Sequence, residues 1–112
     1  MSNKIIVHRE FERAAKKLAR KYRSFTHDLN QMIAELKENA LLGTSLGRNL
    51  RKIRLSIKSK ATGKRGGGRV ITYVAVRERT VFLLTVYDKS DVENISDDEL
   101  DSLLQIIRDE MA

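Results

Sequence analysis

The sequence predicts an α+β domain in which a helical hairpin packs on a small, mostly antiparallel β-sheet and a last helix follows the strands. Three observations lead to this fold class. Apolar residues recur at helical spacing in residues 10–40, they alternate or form β-branched runs in residues 50–87, and a capping signal precedes an apolar stripe in residues 96–111. The expected order is β-α-α-β-β-β-α in a single domain, residues 1–112, because this length suits one hydrophobic core.

The first third of the chain predicts one strand and two helices. Residues 4–8 contain a β-branched run, which is typical of a strand. The first helix has an apolar stripe made of Phe11, Ala14, Ala15, Leu18, Ala19 and Tyr22. Ser24 suits the N-cap of a second helix, whose inward face is made of Leu29, Met32, Ile33, Leu36 and Ala40. Because the break between the helices is short, we expect them to form an antiparallel hairpin.

The middle of the chain predicts three strands that pair in sequence order. Residues 41–49 contain two glycines and predict a loop. Residues 50–58 alternate as a half-buried strand does, with Ile53, Leu55 and Ile57 on one face and Lys52, Arg54, Ser56 and Lys58 on the other. Residues 70–76 predict a second strand. Residues 81–87 are apolar almost throughout, as expected for a central strand that is covered on both faces.

The last helix has clear signals at its start. Ser96 and Glu99 have the spacing of a capping box, and Ile95 and Leu100 have the spacing of a hydrophobic staple. The apolar stripe that follows is made of Leu100, Leu103, Leu104, Ile107 and Met111. We expect this helix to pack on the sheet.

The composition excludes several classes of function. Cysteine is absent, so disulfides, thiolate catalysis and cysteine metal sites are excluded. The sequence has no apolar run long enough to span a bilayer and no signal-peptide pattern at its start. We therefore expect a soluble cytoplasmic protein without a membrane partner.

The positive charge is concentrated in one part of the chain. Residues 1–87 contain twenty Lys and Arg against six Asp and Glu, whereas residues 88–112 contain two against nine. Residues 58–69 contain five Lys and Arg, four Gly and no acidic residue. Like charges on a glycine-rich loop repel one another, which favours a polyanionic ligand such as nucleic acid. Taken alone, the cluster fits a solvated surface loop equally well.

No metal site or nucleotide loop is predicted. His8 and His27 are far apart, and neither has a carboxylate at ligand spacing. The acidic residues at 97–101 are accounted for by their place in a first helical turn. Residues 66–68 are three glycines, but the Gly-Lys-Ser/Thr of a P-loop is missing.

The predicted pairing places the basic loop and the end of the last strand at the same sheet edge. Arg69 opens the middle strand there, and Tyr87 and Lys89 lie at the end of the last strand. We expect these groups to surround one shallow concavity that fits a phosphodiester. RNA cleavage without a metal needs a base for the 2′-OH proton, cations for the phosphate and an acid for the 5′-oxygen. Crowded lysines suit the base, arginines suit the phosphate, and Tyr87 is either a catalytic group or a core aromatic residue.

Three blocks of sequence occur together in this region. They are Leu-Arg-Lys-Ile-Arg at residues 50–54, Gly-Lys-Arg-Gly-Gly-Gly-Arg at residues 63–69, and Phe-Leu-Leu-Thr-Val-Tyr-Asp-Lys at residues 82–89. With the acidic helix that follows, they resemble the RelE/HigB toxin family of bacterial toxin–antitoxin modules, most closely its HigB-type branch. The resemblance implies a RelE-like fold and a ribosome-dependent mRNA endonuclease, an mRNA interferase that inhibits translation without a metal or cofactor.

The resemblance also implies partners and site residues. The partners are a cognate antitoxin, the decoding site of the ribosome with its rRNA, and mRNA, and a higher toxin–antitoxin oligomer is compatible with them. The catalytic candidates are Lys58, Lys60, Arg69, Tyr87 and Lys89. The candidates for RNA or phosphate binding are Arg51, Lys52, Arg54, Lys64 and Arg65. The general acid and base remain open among the lysines, the arginines and Tyr87.

Two other functions remain open at this point. The same scaffold occurs in ParE-like relatives, which poison gyrase without enzymatic activity. The second alternative is an inactive relative that only binds RNA or a partner. It would explain why the sequence has no evident acid–base pair. The basic loop at residues 58–69 favours the endonuclease.

Overall fold

The structure is a computed structural model that describes residues 2–60, 67–92 and 94–111. In this part of the chain it contains five strands and three helices. In chain order they are β1 (Lys4–Val7), α1 (Arg9–Lys21), α2 (Phe25–Glu38), β2 (Thr44–Gly47), β3 (Leu50–Leu55), β4 (Gly68–Ala75), β5 (Thr80–Asp88) and α3 (Asp97–Met111). None of these helices combines the length and the apolar character that a membrane span requires.

The strands form one sheet in the order β1-β5-β4-β3-β2. β3, β4 and β5 pair antiparallel in sequence order, as predicted. β1 joins the sheet beside β5 and runs parallel to it, so the sheet is mostly antiparallel. A register shift between Ile71 and Thr72 in β4 interrupts the β4–β5 ladder.

Helices cover both faces of the sheet. α1 and α2 cover one face, which we call the hairpin face, where Phe11 and Leu36 belong to the same buried core as Leu83 of β5. α3 covers the opposite face, the α3 face, where Leu104 packs near Ile71 and Leu84. Residues on β5 therefore meet a core on either side, which explains its nearly continuous apolar sequence and confirms the prediction of a central strand. The side chain of Met111, the last member of the predicted α3 stripe, lies outside the described part.

The helix starts are stabilised by local hydrogen bonds. At α3, the Glu99 backbone N–H donates to Ser96 Oγ at 3.2 Å, which confirms the predicted cap. At α1, the Glu10 backbone N–H donates to His8 Nδ1 at 3.1 Å, an N-cap that the sequence pattern did not indicate. Ser24 holds the N-cap position of α2, but its hydroxyl donates to Asp28 Oδ2 at 2.6 Å and does not cap the helix backbone.

The prediction of a loop over residues 41–49 is wrong in part, because β2 forms there and pairs antiparallel with β3. A two-residue turn joins them, and both its residues have positive φ, 55° at Arg48 and 64° at Asn49. This backbone matches the twist of a tight hairpin. β2 has few good strand formers, so its pairing with β3 stabilises it more than its own sequence does.

The predicted strand over residues 50–58 ends earlier, at Leu55. The reason is Asp28 of α2, which is buried and whose Oδ2 accepts the backbone N–H of Lys58 at 2.9 Å. This contact directs the chain toward the hairpin. The return into β4 needs Gly67, where an added Cβ would lie 2.2 Å from the carbonyl oxygen of Leu55.

Candidate functional site

Arg54, Arg69 and Tyr87 form one row across three neighbouring strands. Arg54 of β3 is paired with Arg69 of β4, and Arg69 is paired with Tyr87 of β5. Directly opposite residues on paired strands have Cβ atoms about 5 Å apart. Tyr87 packs against the core under α3, so the row lies on the α3 face. We call these three residues the Arg-Arg-Tyr row.

Arg69 is a buried cation at the centre of this row, only 7 % exposed. Its guanidinium donates to the carbonyl oxygen of Gly68 at 3.0 Å and makes no ion pair with a carboxylate of the described residues. Burial lowers the pKa of Arg69, and the neighbouring charge of Arg54 lowers it further, against a smaller opposing effect of Tyr87. Two adjacent guanidinium groups without a carboxylate between them form a site that an anion would stabilise.

Tyr87 has a buried hydroxyl that lies near the backbone of Ile95. The oxygen is buried and has no hydrogen-bond partner of good geometry among the described residues. Burial raises the pKa of Tyr87 above its usual value of 10.0, although the backbone of Ile95 and the charge of Arg69 lower it in part. The phenol is therefore neutral at physiological pH, and it could donate to a ligand held by the two arginines only after its buried oxygen becomes exposed. The ring packs in the α3-side core, so Tyr87 is also the core aromatic residue that the sequence allowed.

Lys52 and Arg51 lie on different faces, although they are adjacent in sequence. Lys52 is half-buried and shares the α3 face with Arg54, two residues further along β3. The guanidinium of Arg51 donates to the carbonyl oxygens of Leu42 and Gly43, at 3.3 and 2.8 Å. Arg51 thus holds the segment that leads into β2, and only Lys52 extends the Arg-Arg-Tyr row.

A second group of polar side chains surrounds Asp88 on the hairpin face. Asp88 is 2 % exposed, and its Oδ1 lies 2.6 Å from the Nζ of Lys60, whose side chain is 6 % exposed. The hydroxyl of Tyr22 donates to Oδ2, and the backbone N–H and hydroxyl of Ser90 donate to Oδ1 at 2.9 and 2.7 Å. We call these four residues the Asp88 cluster. It connects the end of β5 to the end of α1 and to the start of the basic loop.

The Asp88 carboxylate stays ionised despite its burial. Burial alone would raise the pKa of Asp88, but the hydrogen bonds from Lys60, Tyr22 and Ser90 outweigh this effect and hold the pKa well below its usual value of 3.8. The cluster is thus a buried ion pair with further hydrogen bonds to the carboxylate, an arrangement that stabilises a charge inside a protein.

The predicted catalytic residues do not all share one concavity. Tyr87 and Asp88 are consecutive strand residues, so they point to opposite faces, and Lys60 follows Asp88 to the hairpin face. Lys60 is therefore separated from Arg69 by the sheet. Lys58 is exposed, and its backbone is held by α2 on the hairpin side. Lys89 does lie at the predicted edge, where its backbone N–H donates to the carbonyl oxygen of Gly67 at 3.0 Å.

The remaining loop candidates are Lys64 and Arg65. Lys64 and Arg65, with the rest of residues 61–66, lie outside the described residues. Within the described residues, no group of three or more His, Cys, Asp or Glu side chains could hold a metal ion.

Comparison with known proteins identifies the family. The model of the family described as the RelE toxin of the RelE/RelB toxin–antitoxin system matches residues 3–111. Among solved structures, the chain is similar to a double arginine-to-alanine mutant of the E. coli toxin RelE in the free state. The TM-score is 0.57 at 18 % identity, over 83 % of this chain and 90 % of that chain, so this likeness confirms the predicted fold. Because the family match spans nearly the whole sequence, the chain belongs to the RelE toxin family.

Proposed function

We propose that this toxin is a ribosome-dependent mRNA endonuclease and that the Arg-Arg-Tyr row acts on the scissile phosphodiester. The observation that carries the proposal is the buried Arg69, which has Arg54 on one side in the strand register and the buried phenol of Tyr87 on the other. Membership of a toxin family supports the cellular role. The positive charge of residues 1–87 supports an RNA partner.

Arg54 and Arg69 are assigned to the phosphate. Each guanidinium can donate two parallel hydrogen bonds to phosphate oxygens, and arginine keeps its charge at neutral pH even where burial lowers its pKa. As the 2′-oxygen attacks phosphorus, negative charge accumulates on the non-bridging oxygens. Fixed cations in a partly buried site stabilise this charge more than they stabilise the ground state.

Tyr87 is assigned as the general acid. The 2′-oxygen forms a new bond to phosphorus, the bond from phosphorus to the 5′-oxygen breaks, and that oxygen takes a proton from the phenol. The products are a 2′,3′-cyclic phosphate and a free 5′-hydroxyl. The raised pKa of Tyr87 keeps the proton on the phenol until the leaving group requires it.

Lys52 and Lys89 are the candidates for accepting the 2′-hydroxyl proton, a role that requires the neutral amine, which becomes an ammonium group when it takes the proton. Lys52 lies on the same face as Arg54, and Lys89 follows β5 directly after the strand end. Lys60 is assigned a structural role instead, because its ammonium group contacts Asp88 on the opposite face. Lys58 is assigned no catalytic role, because it is an exposed residue at the start of the basic loop.

The Tyr87→Phe variant is expected to cleave about 10²- to 10⁴-fold more slowly, the usual contribution of a positioned acid. Its stability should change little, since the lost hydroxyl makes no hydrogen bond of good geometry with the described residues. In the wild type, activity should decline with rising pH only above about pH 10, because the pKa of Tyr87 is raised. Single-turnover cleavage rates as a function of pH, with thermal unfolding in parallel, check both statements.

Tyr73→Phe is the matched control for this variant. Tyr73 lies in β4, packs on the α3 side and contacts the ring of Phe82 edge to face, at 6.2 Å between centroids. Its loss of a hydroxyl should leave cleavage unchanged. If Tyr87→Phe also cleaves at the wild-type rate, Tyr87 is only a core residue and another group is the acid.

The test of the function itself uses purified toxin, ribosomes and a programmed mRNA, with new 5′ ends mapped by primer extension. We expect cuts in the translated region and none in the same mRNA without ribosomes. Intact mRNA together with inhibition of gyrase would overturn the proposal in favour of a ParE-like toxin. We also propose that a cognate antitoxin neutralises the protein and that it acts in the cytoplasm, where ribosomes translate mRNA.

A further inference from the structure

We propose that the exposed face of α1 is a second RNA-binding surface, which binds the phosphate backbone of a structured RNA. This surface, the α1 ridge, consists of Arg9, Arg13, Lys16, Lys17 and Arg20. It is distinct from the Arg-Arg-Tyr row, since α1 lies on the hairpin face and the row on the α3 face. That the RNA belongs to the ribosome rests on the proposed function.

The ridge is a continuous stripe of cations. With about 100° of rotation per residue, its five members fall within an arc of about 100°. The arc is centred opposite Phe11 and Leu18, the buried residues of α1, and all five members are exposed. From Arg9 to Arg20 the ridge extends about 17 Å along the helix axis.

Helix stability accounts for only part of this arrangement, since Arg20 is the one member of the ridge in the last turn, where the helix dipole favours cations. Cations three and four residues apart on a helix repel one another, and the ridge has several such pairs. Arg9 also lies in the first turn, where the helix dipole favours acidic residues. Among the described residues only Arg13 of the ridge has a carboxylate partner, Glu10 at 3.5 Å, and that pair is exposed. A bound polyanion would relieve this repulsion.

Phosphate is the ligand chemistry that the ridge fits best. Three of its five members are arginines, which suit bidentate binding of phosphate oxygens. The large hydrophobic residues that are exposed in the described part are Val7, Leu41 and Val76, so α1 offers none of the apolar anchors that protein interfaces use.

A helical RNA fits a straight ridge better than a flexible single strand does. Proteins recognise double-stranded RNA mainly through its shape, its phosphates and its 2′-hydroxyls, and a rigid helix presents cations in fixed positions to such a row. With the substrate strand on the α3 face, the toxin would hold two RNA segments at once. The ridge would then anchor the toxin to ribosomal RNA while the row contacts mRNA.

The experiment compares two variants that each lose four positive charges, one from the α1 ridge and the other from the rest of the surface. The ridge variant is Arg13→Gln/Lys16→Gln/Lys17→Gln/Arg20→Gln. The control variant removes four exposed cations from other elements and is Lys4→Gln/Lys37→Gln/Arg77→Gln/Arg108→Gln. The probe is a synthetic RNA hairpin, whose affinity for each folded protein is measured by fluorescence anisotropy as a function of salt concentration.

We expect the ridge variant to lose about 3 to 4 units of the slope of log affinity against log salt, about 0.9 for each phosphate contact. Raising the salt from about 50 to about 200 mM should therefore weaken the wild type about 100-fold more than the ridge variant. The control variant should keep nearly the wild-type slope. Equal slopes for the two variants would overturn the proposal. A ridge variant that binds the RNA hairpin as tightly as the wild type, but no longer binds an acidic protein, would also overturn the proposal.

The same variants separate this inference from the proposed function. At saturating ribosome concentration the ridge variant should cleave mRNA at the wild-type rate, because the Arg-Arg-Tyr row is intact, and its half-saturating ribosome concentration should rise at least 10-fold. If the wild type binds the hairpin through the ridge but never cleaves mRNA, the endonuclease proposal fails and the ridge proposal stands. If cleavage occurs and the two variants require equal ribosome concentrations, the ridge proposal fails alone.

Discussion

Replacing Arg69 with alanine is expected to reduce mRNA cleavage on the ribosome about 10²- to 10³-fold and to abolish toxicity, the usual cost of removing one donor that stabilises transition-state charge. Arg69 is the buried member of the Arg-Arg-Tyr row, so its charge is weakly screened by solvent. Alanine also removes the only guanidinium that lies between Arg54 and Tyr87 in the strand register. Mapping and quantifying new 5′ ends on translated mRNA measures the effect.

Three further variants test whether the loss of activity in Arg69→Ala comes from a lost contact with the phosphate. Arg69→Lys keeps the charge but loses the bidentate fork, so we expect an intermediate rate. Arg54→Ala removes an exposed guanidinium and should slow cleavage while the fold stays intact. Arg77→Ala, an exposed change in the β4–β5 turn, should have no effect. Cleavage by both Arg69→Ala and Arg54→Ala at the rate of Arg77→Ala would show that the row does not contact the phosphate.

The second large effect is on stability. Asp88→Asn is expected to lower the free energy of unfolding by about 3 to 5 kcal/mol at pH 7, the usual cost of removing one partner of a buried ion pair. The substitution leaves the buried ammonium group of Lys60 without its counter-charge. Asp91→Asn, an exposed change three residues away, should alter stability by less than about 0.5 kcal/mol. Urea unfolding at equilibrium measures both.

A double variant tests whether the unpaired charge of Lys60 causes the expected loss of stability. In Asp88→Asn/Lys60→Met no charge remains buried, so much of the lost stability should return. If the double variant is as unstable as the two single changes together predict, the Asp88 cluster contributes through packing and hydrogen bonds and not through its charges.

The Asp88 cluster also predicts how stability depends on pH. Because the folded pKa of Asp88 lies below that of an unfolded aspartate, about 3.9, the unfolded state takes up this proton first as the pH falls. The stabilisation is thus complete above about pH 5 and is lost as the pH decreases through 4 toward the folded pKa. Asp88→Asn should lack this component, so the stability difference between wild type and variant should shrink in acid.

Much of the fold could be predicted because its elements have strong periodic patterns. The stripes of α1 and α2 and the alternation in β3 follow directly from burial on one face. β2 could not be predicted in this way, since its four residues include a single apolar side chain, Leu46, and pair only because β3 lies beside them. The early end of β3 depends on Asp28, a residue of another element.

Part of the candidate site could also be predicted from periodic patterns in the sequence. Alternation placed Lys52 and Arg54 on one face, and the strand pairing brought Arg69 and Tyr87 to them. The role of Lys60 was not predictable from local sequence, because its side chain turns toward Asp88 across the hairpin face. One signal was present: Asp88 follows an apolar strand directly, and a charged residue at the end of a buried strand requires a partner.

The parallel pairing of β1 with β5 determines when the molecule can become complete during its own synthesis. β1 leaves the exit tunnel early, but its neighbour in the sheet comes from residues 80–83. Until those residues emerge, the nascent helices α1 and α2 lack Leu83 and Val86, which form part of the core beneath them. Contacts between such distant segments form late. The emerging polypeptide therefore has no complete sheet until most of the chain has left the ribosome that makes it. Until then, Tyr87 is not paired with Arg69.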